Sequence, residues 1–85
     1  MLAGAGSLKF PGWEGEVDYR ISVRAASARV VPPGERGAVE LPPETARESF
    51  RAGSATLKLE DGRTCRISVI AHTEGARTAY FQTLA

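Results

Sequence analysis

One cysteine, one histidine and one tryptophan occur in 85 residues, and each scarcity removes a class of chemistry. A single thiol cannot close an intramolecular disulfide. Cys65 therefore reads as a small buried hydrophobe in a reducing compartment, with the cytoplasm as the expected location. One cysteine and one histidine cannot supply the three or four nitrogen and sulfur ligands of a zinc site, and neither a metal nor another cofactor is expected. A Cys-His nucleophile pair would have to use Cys65 and His72. The strand between them separates the two by roughly 23 Å, and their opposite parity aims them at opposite faces.

Long apolar runs are missing too. No stretch approaches the roughly 20 apolar residues of a membrane span, and Met1 to Ser7 lack the basic start and sustained apolar run of a signal peptide, so no membrane partner is expected. Neither sign of charge dominates. The formal net charge is +1 with the signs interleaved, which leaves no long-range field to attract nucleic acid or anionic lipid. With 42% apolar and 25% charged residues the chain can pack a core, and at this length that core belongs to one domain. We expect it over residues 7–85, because residues 1–6 are small and Gly-rich and read as a flexible tail with too little apolar surface to pack.

The organising stretch is Ser54 to Thr73. Ala55, Leu57 and Leu59 alternate with Thr56, Lys58 and Glu60. After Asp61-Gly62, Cys65, Ile67, Val69 and Ala71 alternate with Arg66, Ser68 and His72. That period of two marks two half-buried strands. Residues directly opposite in an antiparallel pair share a face, so Leu57 must oppose an odd-numbered residue. A two-residue loop fails this test. A three-residue loop of Glu60, Asp61 and Gly62 pairs Leu57 with Cys65 and Ala55 with Ile67, with Gly62 in the left-handed position of a G1 bulge.

Ser7 to Phe10 can form a short edge strand, followed by Pro-Gly punctuation between Phe10 and Trp13. Val17 to Ala25 shows the cleanest alternation, a short strand follows at Ala28 to Val31, and Gly37 to Leu41 can form another. Pro43 suits a helix first turn, Glu44 its positive end, and Gly53 its stop, which predicts a helix from about 43 to 52 with Phe50 as its anchor. Glu44 with Arg47 and Glu48 with Arg51 can pair on its solvent side. A turn at Glu74-Gly75-Ala76 leads to a last strand, Thr78 to Leu84. The reading is a mainly β chain: a small closed or nearly closed barrel of five to six antiparallel strands with one short helix, in the order β-β-β-α-β-β-β, because closure removes edges that a chain this small cannot cover. Three strands, a helix and two strands is also the element order of the OB-fold, to which the chain is similar in topology alone; the extra terminal strand departs from it.

Glu14, Glu16 and Asp18 share one strand face at spacing two, which reads as a solvated surface. If the second hairpin keeps parity, Ile70 opposes Tyr80 on the outer face, His72 opposes Thr78 and Leu84 opposes Arg66. Arg66, Ile70, His72, Tyr80 and Leu84 then form a mixed apolar patch where polar residues are the rule. Either Phe50 of the helix covers that patch or a partner does. Trp13 reads as a plug at the barrel end.

No convergent set of nucleophile, base and oxyanion donors emerges, so an enzyme is not expected. The functional expectation is a non-catalytic binding or interaction domain, whose partner is an unknown protein or a second copy of the chain. The alternative is an OB-like binder of single-stranded nucleic acid, with Trp13, Tyr19 and Tyr80 stacking and Arg20, Arg24, Arg29, Lys58 and Arg66 lining a groove. Interleaved acids make nucleic acid the less expected partner.

Overall fold

A computed structural model describes residues 2–22 and 33–84. Six strands and one helix follow one another as β1 (Leu2–Phe10), β2 (Trp13–Ile21), β3 (Arg36–Glu40), α1 (Pro43–Ala52), β4 (Ser54–Lys58), β5 (Thr64–His72) and β6 (Thr78–Thr83). All pairings are antiparallel, and the strands close in the order β1-β2-β3-β6-β5-β4. The fold is thus mainly β, a closed six-stranded barrel with one short helix. Two three-stranded meanders are joined through α1. The extra strand β6 stands in the barrel wall between β3 and β5, where the five-stranded OB barrel has no counterpart.

The central hairpin has the register that parity requires. Leu57 pairs with Cys65 and Ala55 with Ile67. The turn closes with Gly62 N–H donating to Leu59 O at 3.0 Å, Leu59 N–H donating to Arg63 O at 2.7 Å and Gly62 at φ 93°. Asp61 adds local order, because its carboxylate accepts from the Arg63 backbone at 3.0 Å and from Arg63 Nε at 2.7 Å.

Residues 2–6 differ from expectation. They are the first half of β1, which pairs with β2 along its whole length, Leu2 opposite Ile21 through Phe10 opposite Trp13. The poverty in side chains that reads as a tail is a packing device. Gly6 faces inward beside Tyr19, and a Cβ there would collide with Lys58 O and lie 3.1 Å from Tyr19 Cε2. The Tyr19 ring fills that space, buried, and its hydroxyl accepts the Glu60 backbone N–H at 3.0 Å. Gly37 does the same for Phe81, whose Cζ would be 2.5 Å from a Cβ. Around these two rings the inward residues Leu8, Val17, Ile21, Val39, Leu57, Ile67, Val69 and Ala79 complete the core. The extension of the second strand to Ala25 and the strand at Ala28 to Val31 lie outside the described residues.

The helix bounds are those its Pro and Gly signals give. Pro43 opens it, and Gly53 N–H ends it by donating to Ser49 O at 3.1 Å. Its docking face is different. Ala46 and Ser49 are the buried residues, Ser49 Oγ donating to Ala46 O at 2.7 Å, while Phe50 is 45% exposed. The small Ala46 and Ser49 are the residues buried where α1 meets β4, β5 and β6, and Phe50, one position on, keeps nearly half of its surface in solvent. Of the two ion pairs expected on the solvent side, Glu48 with Arg51 forms at 3.8 Å, but Arg47 reaches Glu74 of the β5–β6 connection at 3.6 Å instead of Glu44.

Urea denaturation separates these two roles. Gly37→Ala should cost roughly 1 to 3 kcal/mol through overpacking against Phe81, and Phe50→Ala, an exposed site, should stay within about 0.5 kcal/mol of the parent. The reverse ranking would mean that the helix docks through Phe50 after all.

Candidate functional site

The strand β5 carries an irregularity between Val69 and Ala71. Val69 pairs with Phe81 as parity demands, but Tyr80 pairs with Ala71 and Ala79 with His72, so Ile70 is the extra residue of a bulge. Ile70 is the one residue that breaks the alternation of this strand, and the bulge is how the fold accommodates it. Downstream parity inverts. His72 does not face Thr78 on the outer surface; it shares the side of buried Ala79 and is half-buried, with Nε2 3.0 Å from Ala76 O. His72 therefore leaves the expected outer patch, and the argument that Cys65 and His72 face opposite ways fails, while their separation along the strand stands.

The other four patch residues remain outside. Ile70, Tyr80 and Leu84 are 42%, 50% and 38% exposed, so no element among the described residues buries them, and Phe50 is itself 45% exposed. Tyr80 stands beside Ala38, across which lies Arg20, and with Arg36 they border a shallow recess of about 220 Å³. Arg66 lies beside Leu84, whose N–H donates to Arg66 O at 2.8 Å. The same Arg66 reaches a second and larger feature, which sequence reasoning missed.

That feature is a cleft of about 630 Å³ between the β1–β2 turn and the start of β4. Its origin is the short seam between β1 and β4, where only Ser7, Leu8 and Lys9 pair with Lys58, Leu57 and Thr56. Ladder bonds explain where it stops. Leu59 and Gly53 bond toward β5, so odd residues of this segment turn their backbone groups to β5 and even residues turn theirs to β1. Continuing the register would place Ser54 opposite Pro11, which has no N–H and belongs to the turn. The strands part there.

One bank of the cleft is aromatic. Phe10 and Trp13 stack with ring centroids 5.6 Å apart and planes at 25°, and the indole lies over Gly15, where a Cβ would come within 2.7 Å of Trp13 Cζ2. Phe10 and Gly15 thus both border the Trp13 ring, which packs partly buried against the core. Ser54, Ala55 and Thr56 of β4 and the charged residues Lys9, Glu14 and Arg66 complete the lining, with Pro11 and Gly12 of the turn. None of these three charged residues forms an ion pair among the described residues. The volume is within the range of small-molecule sites, which combine an apolar wall with a few polar groups. Phe10-Pro11-Gly12-Trp13 is visible in the sequence as punctuation between two aromatics; that it faces the start of β4 depends on a pairing between strands far apart in the chain.

Among the described residues, no group of three His, Cys, Asp or Glu is placed to hold a metal ion, and no helix is long and apolar enough to cross a membrane. Cys65 is buried in the core, and burial pushes its thiol up from the ordinary value while Arg63 pulls weakly the other way. Tyr19, a stacking candidate, is buried in the barrel. Arg24 and Arg29 lie outside the described residues. Comparison of the chain with protein-family models, with curated proteins and with solved structures finds no match.

A buried thiol with a raised pKa stabilises the fold at pH values below the unfolded pKa of about 8.5, and loses that contribution as pH rises through the folded value. Cys65→Val should therefore lose less stability than the parent between neutral pH and pH above about 9, read by urea midpoints. Identical alkaline loss in both proteins would place the thiol in solvent.

Proposed function

We propose that this chain is a non-catalytic binding domain whose ligand seat is the cleft between Trp13 and the start of β4. The observation that carries the reading is the pre-formed aromatic wall: Trp13 is held by Phe10 and by the bare α-carbon of Gly15 and borders a cleft of about 630 Å³. A ring fixed before binding has little rotamer freedom left to lose, which favours association. Cys65 in the core and His72 engaged with Ala76 O leave the thiol and the imidazole without a shared substrate position, consistent with binding in place of turnover. A reducing, cytoplasmic setting suits the free thiol.

A second reading, single-stranded nucleic acid on the outer face of β2, β3 and β6, is favoured by half-exposed Tyr80 beside Arg20 and Arg36. It is weakened by Asp18 and Glu40, which pair with each other one row along the same face. Self-association through Ile70, Tyr80 and Leu84 uses the neighbouring surface.

NMR of isotope-labelled protein separates the three. A set of small aromatic and aliphatic compounds should shift the Trp13 indole N–H and the amides of Lys9, Trp13 and Ser54 to Thr56, with a sedimentation rate independent of protein concentration. Shifts at Ile70, Tyr80 and Leu84 that grow with protein concentration would give the function to self-association. An oligonucleotide that shifts Arg20, Arg36 and Tyr80 while the cleft stays silent would give it to nucleic acid.

A further inference from the structure

The charge around the cleft is unevenly distributed. Its lining holds two cations, Lys9 and Arg66, and one carboxylate, Glu14. Glu14 stands directly opposite Lys9 in the β1–β2 ladder and offsets it. Arg66 is on the other bank, and no acid among the described residues pairs with it across the strands. On the outer face its cross-strand partners are Thr56 and Leu84, its neighbours along β5 are Thr64 and Ser68, and its diagonal neighbours are Ser54, Lys58 and Gln82. The adjacent cation Lys58 adds to the positive field. Among the described residues Arg66 thus has no ion-pair partner, and it lines the same cleft as Trp13.

A backbone group adds to this. The alternation that turns even residues of β4 toward β1 leaves Ser54 with no strand partner on that side, since β1 pairs with β4 only as far as Thr56. Its N–H and C=O therefore border the cleft between Arg66 and the indole. Guanidinium and amide N–H both donate, and the planar guanidinium fork matches a carboxylate in two parallel bonds.

We infer that the ligand is a small amphipathic carboxylate: a flat apolar body against Trp13, which buried Phe10 backs, and one carboxylate received by Arg66. Its single negative charge matches the single positive charge that the lining carries in excess. The inference rests on the cleft being the ligand seat, and it deepens that reading by naming the ligand's charge and shape.

Naphthylacetate and its neutral isostere naphthylacetamide test the two separately, with binding followed by NMR at the Trp13 indole N–H and by calorimetry. The acid should bind the parent at least about tenfold more tightly than the amide, as a charge-assisted hydrogen bond to a single arginine provides. Arg66→Gln should remove that preference, weakening the acid about tenfold more than the amide, and Arg66→Lys should keep part of it, because the charge remains without the bidentate fork. Equal affinities for acid and amide, both shifting Trp13, would overturn the carboxylate inference and leave the cleft reading intact. Neither compound shifting Trp13 would overturn both. An acid preference that survives Arg66→Gln would place the anion elsewhere and overturn the inference.

Discussion

The barrel depends on a seam of three residue pairs. Ser7, Leu8 and Lys9 against Lys58, Leu57 and Thr56 are all that joins β1 to β4, and without them the two meanders would form an open sheet hinged at β3 and β6. Closure requires inward residues to fit, and two large rings set the fit. Tyr19 reaches across to the turn between β4 and β5, where its hydroxyl takes the Glu60 N–H, so the same side chain fills the space left by Gly6 and ties the first meander to the second. A closed barrel has no free edge strands to pair with other chains, which a domain of this size could not otherwise cover.

The shortness of that seam also makes the cleft. Pro11 cannot donate to Ser54, so pairing ends at Lys9 and Thr56, and the cleft lies between the start of β4 and the hairpin tip carrying Phe10 and Trp13. Structure and candidate function thus share one cause. A residue able to extend the ladder at position 11 would bring the aromatic wall toward Ser54 and narrow the opening.

Much of the architecture is legible in the sequence because it rests on local rules. Alternation plus Asp61-Gly62 specifies the pairing of Leu57 with Cys65, and Pro43 with Gly53 brackets the helix. Other features need knowledge of neighbours. Gly4 and Gly6 look like a tail until the Tyr19 ring is placed beside them, and Phe50 looks like an anchor until Ala46 and Ser49 take the buried positions. Ile70 announces its bulge only by violating the alternation; that single violation inverts His72 and removes it from the outer patch, while Arg66, Ile70, Tyr80 and Leu84 stay on it. The cleft is the least legible of all, because nothing in the 10–13 turn says which distant strand it will face or where that pairing will end.

Amide hydrogen exchange along β4 tests this account most directly. Thr56 and Lys58 turn their N–H groups to β1 and should exchange slowly, protected by the seam, whereas the Ser54 N–H, on the same edge but beyond Pro11, should exchange nearly as fast as an open strand edge. Equal protection at Ser54 and Thr56 would mean that the ladder continues and no cleft opens, and fast exchange at all three would mean that the barrel is not closed between β1 and β4.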